Sequence, residues 1–166
     1  MDYKIANVKV SIKTSAIVLD NVITVCSEKQ LYCKNYNNFL VVKDIYTYII
    51  FKQNKNNQNH INITKIPNID SVSNAITRIQ DLTKSVILSQ NIDNIIASTS
   101  WPKQLNLKQI STLFTNVKYN NEKFPGLFIK FPTGTVILFH SGKIVIVGCK
   151  NEKDLQCLIQ KIFARM

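Results

Sequence analysis

No CxxC pair occurs in this 166-residue chain, and its two histidines, His60 and His140, lie far in sequence from its four cysteines, Cys26, Cys33, Cys149 and Cys157. That spacing leaves no legible zinc site. Cys33 and Cys149 fall in apolar strand-like runs and Cys157 in a helix-like stretch, so reduced thiols packed as small hydrophobes are expected, not a disulfide framework. There is no Gly-rich phosphate loop, no carboxylate cluster among the ten Asp and Glu residues, and no Cys–His pairing, so no catalytic centre and no cofactor is expected. No apolar run approaches the roughly 18 to 20 residues of a membrane span, and Met-Asp-Tyr-Lys opens the chain without a hydrophobic signal core. A soluble, unsecreted protein is expected.

The charge is one-sided. Lys and Arg number 21 against 10 acids, a formal +11 with a pI near 9.6, which makes nucleic acid the first partner to consider. An AT-rich coding genome supplies Lys and Asn as well, so charge by itself leaves both readings open. Apolar residues make up 45% of the chain, enough to fill a core.

The chain reads twice, with an offset of about half its length. In the first half an extended stretch, Lys4 to Lys13, leads through Leu19-Asp20 into a short apolar-patterned segment ending at Cys26, then Leu31 to Lys34. The second half repeats the order with Asn91 to Ser98, a segment from Leu105-Asn106 to Phe114, and Asn116 to Tyr119. Asp20 and Asn106 are the matching N-cap candidates, each with a side-chain oxygen to offer a first helical turn. Strand runs follow at Phe39 to Val42 and Tyr48 to Phe51, and at Phe124 to Lys130 and Thr135 to Phe139; each pair reads as a hairpin. A last strand comes next in each half, Ile61 to Thr64 and Lys143 to Gly148. Helices then carry Val72, Ala75, Ile76, Ile79 and Leu82 in one half and Leu155, Leu158, Ile159, Ile162 and Phe163 in the other, one apolar stripe at helical period.

The expected architecture is α+β, about ten antiparallel strands in one sheet with four helices on one face, in two repeats covering 1–86 and 87–166. Residues 52–60, KQNKNNQNH, contain no apolar side chain and should form a mobile loop insertion. The boundary lies near 84–90, where no Pro/Gly/Ser-rich linker appears.

A sheet covered on one side should alternate apolar and polar residues. Here Phe39-Leu40-Val41-Val42, Tyr48-Ile49-Ile50-Phe51, Val136-Ile137-Leu138-Phe139 and Ile144-Val145-Ile146-Val147 offer apolar side chains to both faces. Four modest helices cover one face; the other meets a partner, more helix, or an identical subunit. A basic protein with a broad apolar sheet face suits a widened DNA minor groove, whose floor is poor in hydrogen-bonding information and whose rims are phosphate.

The string Tyr119 to Leu127, with its FPGL, and the string Val136 to Lys150, with F-x-SGK-x-V-x-x-G-x-K, closely resemble the second repeat of the TATA-box-binding protein family. Gln90 to Ile96 is similar to that repeat's first strand. The resemblance is strong over 91–166 and rests on order and spacing over 4–83. It implies a saddle-shaped sheet and a non-catalytic transcription initiation factor that binds A·T-rich promoter DNA as a monomer. Its family partners are a transcription factor IIB-like protein and the RNA polymerase machinery, in the nucleus or, for a viral protein, a cytoplasmic viral factory. The compact length and divergence suggest a viral or protist source. A family-fold interaction or accessory nucleic-acid-binding module without TATA specificity is the alternative.

By the same resemblance, Phe124 and Phe139 match the phenylalanines that wedge between base steps at one end of the site, and Phe39 and Phe51 the pair at the other end. Asn7 and Asn94 match the central base-contacting asparagines, although either could equally bridge strands. Thr64 matches the neighbouring first-repeat threonine, and Ile96, Ile137, Val145 and Val147 match groove-floor positions. Four departures stand out. Val147 replaces the second threonine. Lys9 replaces an apolar floor residue, which puts a charge near the bases or signals a rotated strand. Arginines expected after Phe39 are missing, as are basic residues at Pro132-Thr133-Gly134, so phosphate contacts pass to Lys43, Lys52, Lys130 and Lys143. Glu122 keeps an acidic partner contact while Asn120 replaces its acidic neighbour.

Overall fold

The computed structural model describes residues 2–166. Ten strands and four helices follow in the order β1 (Lys4–Thr14), α1 (Leu19–Glu28), β2 (Tyr32–Asn35), β3 (Phe39–Lys43), β4 (Thr47–Phe51), β5 (Asn59–Ile66), α2 (Ser71–Thr83), β6 (Ile87–Ser100), α3 (Leu107–Ser111), β7 (Val117–Lys118), β8 (Gly126–Phe131), β9 (Gly134–Phe139), β10 (Lys143–Cys149) and α4 (Glu152–Phe163). The strand order runs β2-β3-β4-β5-β1 in one half of the chain and β6-β10-β9-β8-β7 in the other. The class is α+β, and the chain divides into two compact units, Asn7–Asp93 and Asn94–Met166, the latter with the leading residues through Ala6.

Within the Asn7–Asp93 unit, Val8, Val10, Ile12, Leu40, Val42, Ile50, Ile61 and Ile63 point to a core closed by Val22 and Cys26 of α1 and by Ala75, Ile76, Ile79 and Leu82 of α2. In the other unit Ile95, Ala97, Leu127, Ile129, Val136, Leu138, Ile144 and Ile146 meet Leu155, Leu158, Ile159 and Ile162 of α4. Each such side chain, taken out of water, contributes about 1.5–3 kcal/mol before the entropy of ordering is subtracted. Burial pushes the thiols of Cys26 up to about 12 and of Cys149 up to about 11, so both stay protonated.

Several expectations are corrected. Asp20 does not cap α1; Val18 is the N-cap, with no side-chain cap bond, and Asp20 sits inside the first turn where its charge faces the positive end of the helix dipole. Asn106 does cap α3, its Oδ1 accepting from Gln109 N–H at 3.2 Å. Residues 52–60 are not all loop, because β5 already begins at Asn59. Asn59 is buried: its Oδ1 accepts from Ile17 N–H at 2.9 Å and its Nδ2 donates to Phe51 O at 2.8 Å. Asn54 folds the remainder, its Oδ1 accepting from the N–H groups of Asn56 and Gln58. Cys157 lies exposed on α4 and is not packed.

Both units carry the same irregularity in a strand. The β1–β5 register slips between Val8 and Val10, and the β10–β6 register slips between Ile146 and Cys149. The residues that turn the chain there, Lys65 and Gly148, have φ of 63° and 90°. Only glycine adopts this region without a steric penalty of about 1 kcal/mol. Lys65→Gly is therefore expected to raise folding stability by about 0.5–1 kcal/mol in urea unfolding, the opposite sign from glycine placed in an ordinary strand.

Candidate nucleic-acid interface

Strand alternation sends the remaining side chains of each unit to a face that no helix covers. In the Asn7–Asp93 unit this open face carries Phe39, Val41 and Lys43 on β3, Thr47, Ile49 and Phe51 on β4, His60, Asn62 and Thr64 on β5, and Asn7, Lys9 and Ser11 on β1. In the other unit it carries Asn94, Ile96 and Ser98 on β6, Val145 and Val147 on β10, Ile137 and Phe139 on β9, and Phe128 and Lys130 on β8.

Cross-strand register joins these residues into continuous apolar strips. Val41 pairs with Ile49, and Phe128 with Ile137, which in turn pairs with Val145. Phe39 and Phe51 are direct register partners with ring centroids 5.9 Å apart. Phe124 and Phe139 repeat that separation, 5.9 Å, although Phe124 precedes β8. The turn that delivers Phe124 is built by Asn120, whose Oδ1 accepts from Glu122 and Lys123 N–H and whose carbonyl accepts from Phe124 N–H. Phe124 stays 39% exposed, and its ring lies over Gly126, where a Cβ would meet Phe124 Cε1 at 2.6 Å.

Around each pair stand aromatic rings that sequence reasoning missed: Tyr36 stacked on Phe39 at 4.8 Å, His60 at 5.7 Å from Phe51, and Phe128 at 5.0 Å from Phe124. The signal for Phe128 was its two-residue step from Gly126. Tyr36 and His60 carry no comparable signal, because Tyr36 comes to the face through the turn between β2 and β3 and His60 through the β4–β5 pairing.

Asn7 and Asn94 hold equivalent positions. Asn7 Oδ1 accepts from Lys65 N–H at 2.8 Å, and Asn94 Oδ1 accepts from Gly148 N–H at 2.6 Å, so both do bridge strands at the bulges. A backbone N–H can be met only by the amide oxygen, which fixes each amide's flip and leaves its NH2 group free on the open face. The pinned geometry offers two donors per residue, and the minor groove presents the acceptors N3 and O2 at A·T pairs.

Thr64 pairs with Thr47, whereas in the second unit Val147 pairs with Thr135. Lys9 does not mark a rotated strand, since Val8 and Val10 on either side are buried. Its ammonium pairs with Asp93 at 3.6 Å, and Asp93 also accepts from the Ser11 hydroxyl at 2.8 Å. Sequence reasoning missed Asp93.

Lys43, Lys130 and Lys143 are exposed at open-face positions of β3, β8 and β10, and Lys52 is exposed just past β4. Lys118, Lys123 and Lys130 join Phe124 and Phe128 in lining a cleft of about 890 Å³ at the β7–β8 edge. Glu122 is exposed on the loop before Phe124. Among the described residues no group of three or more His, Cys, Asp or Glu is placed to hold a metal ion.

Residues 89–166 match the family model described as transcription factor TFIID, or TATA-binding protein. Similar curated relatives include the TATA-box-binding proteins of Methanothrix thermoacetophila, 39% identical over 71 residues (42% of this chain, 39% of that protein), and Pyrococcus horikoshii, 35% identical over 77 residues (45% and 40%). The matched stretch thus spans about two fifths of the length of those relatives. Among solved structures, Methanococcus jannaschii TBP superposes with a TM-score of 0.81 at 25% identity, covering 99% of this chain and 98% of that one.

Proposed function

We propose that the chain is a member of the TATA-box-binding protein family, a reading supported by the sequence match over residues 89–166 and by the fold throughout, and that it is a promoter-binding transcription initiation factor. It docks its open sheet faces in the minor groove of A·T-rich DNA and kinks the duplex with Phe39/Phe51 and Phe124/Phe139. The supporting observation is the pairing of half-exposed phenylalanines on an apolar sheet face that no helix covers, once in each unit.

Minor-groove wedge proteins, of which this family is itself an example, unstack a base step at a cost of a few kcal/mol and offset it with the surface the bent duplex then wraps. Flexible pyrimidine–purine steps make that cost smallest. The pinned amides of Asn7 and Asn94 donate to groove acceptors, and the lysines named above neutralise phosphates. Glu122, on the loop that shapes the Phe124 turn, contacts a transcription factor IIB-like partner, through which the polymerase machinery assembles; the protein itself performs no catalysis. Asn120 is occupied in forming the turn, so that contact has lost one acidic partner.

A second reading, a family-fold module without TATA specificity, draws on the Lys9–Asp93 pair and on Val147. Fluorescence-anisotropy titrations with A·T-rich and G·C-rich duplexes separate the two. The proposal expects the A·T-rich duplex to bind at least about tenfold more tightly, with affinity falling steeply as salt rises. Equal affinity for both duplexes supports the second reading, and no binding at low salt removes DNA from the account.

A further inference from the structure

Asp93 is out of keeping with a face built to meet groove acceptors. Its side chain is one-third exposed and reaches Lys9 and Ser11, two residues on the open face of β1. One oxygen accepts from Ser11 Oγ and the other faces Lys9 Nζ, so lone pairs on both oxygens remain unused. Lys9 offsets the negative charge that would otherwise oppose the approach of phosphates.

A carboxylate has no hydrogen to give. Against an A·T pair, whose minor-groove edge shows only acceptors, it is repelled; the sole donor on any base-pair edge in that groove is the guanine N2 amino group. We infer that Asp93, oriented by Lys9 and Ser11, is a specificity-determining residue that accepts a hydrogen bond from a guanine amino group, so that the preferred site is A·T-rich with one G·C pair at a fixed position. This rests on the minor-groove reading above.

The position that an apolar residue would leave indifferent becomes one at which the protein discriminates. Ser11 and Lys9 restrict the carboxylate to a narrow range of orientations, and the amino group must come within hydrogen-bond reach of it, so the preference is confined to one step of the site. Deformability depends on the base step and is lowest in cost at flexible pyrimidine–purine steps, so the G·C pair is compared with inosine·C in the same sequence context.

The test uses the intact protein and a set of A·T-rich duplexes in which a single G·C pair is moved along the site, each matched by an inosine·C duplex that lacks only the N2 amino group. One position is expected at which G·C binds about fivefold or more tightly than inosine·C, and Asp93→Leu should erase that difference while still binding the all-A·T duplex. Because inosine·C deforms more readily than G·C, a preference for G·C isolates the amino group. Equal or weaker binding of G·C at every position overturns the assignment to Asp93 and leaves the minor-groove reading intact, as does a preference that persists in Asp93→Leu. Failure of the unmodified protein to bind any duplex overturns both.

Discussion

With Phe124 and Phe139 both replaced by alanine, the protein is expected to bind an A·T-rich duplex on the order of a thousandfold more weakly while losing little of its folding stability. Central aromatic anchors of an interface contribute about 2 kcal/mol or more each, and about 4 kcal/mol together is a factor of roughly a thousand. The folding side is smaller because neither ring is buried: both stand on the open face, with Phe124 39% exposed, and lose mainly their contacts with each other and with Phe128. Such ring–ring contacts are worth about 0.5–1.5 kcal/mol. A loss of about 2 kcal/mol or less in urea unfolding, beside the collapse in anisotropy, identifies the pair as working residues. A drop in stability as large as that of a core Phe→Ala, about 3–5 kcal/mol, would place them in the core instead.

The second large effect is on folding. Gly142→Ala should destabilise the protein by about 4 kcal/mol, more than ordinary substitutions do. Gly142 has φ of +88°, and a Cβ there would clash with the backbone oxygen of Trp101 and meet that of Lys103 at 2.8 Å. Neither oxygen can step aside cheaply. Gly142 O accepts from Trp101 N–H at 2.8 Å and Gly142 N–H donates to Phe139 O at 2.9 Å, so the turn between β9 and β10 also anchors the chain leaving β6. The neighbouring Ser141 is exposed, and Ser141→Ala should change stability by about 0.5 kcal/mol or less, which makes it the control. Urea unfolding of the two variants checks both figures.

Gly142 also shows what kind of information the sequence carried. The SGK string that signals the family is held by backbone geometry, and its glycine is explained by a turn with no room for a side chain. The helices and the two-sided apolar strands were legible because each is a pattern inside a short window, and the repeat because the two halves present those patterns in the same order. In the helix stripes Val72 to Leu82 and Leu155 to Phe163, every residue except the half-buried Val72 and Phe163 became core.

Features that depend on register between distant residues were not legible. Asp93 meets Ser11 across 82 positions, and Asn59 meets Ile17 across 42. Asn59 looked like one polar residue among many in KQNKNNQNH; only the fold shows it buried and bonded at both ends of its amide. Local competition explains the remaining differences. Asp20 fitted an N-cap by type, but the helix began earlier, at Leu19, on the carbonyl of Val18. Phe124 was read as strand, but Asn120 draws it into a turn and so lifts its ring onto the open face.

The departures at Lys9 and Val147 acquire a physical meaning once they are in place. Lys9 is half of an ion pair. The first unit pairs Thr47 with Thr64 where the second pairs Thr135 with Val147, so their polar patterns differ. The two halves of a bound site should accordingly be read with different stringency.

The central claim is that the uncovered sheet faces grip a duplex opened along its minor groove. Energy transfer between dyes at the two ends of a short A·T-rich duplex tests it in a single titration. Added protein should raise the transfer, as bending brings the ends together, with a midpoint that tracks the anisotropy isotherm. Saturated binding with no change in end-to-end distance would contradict it.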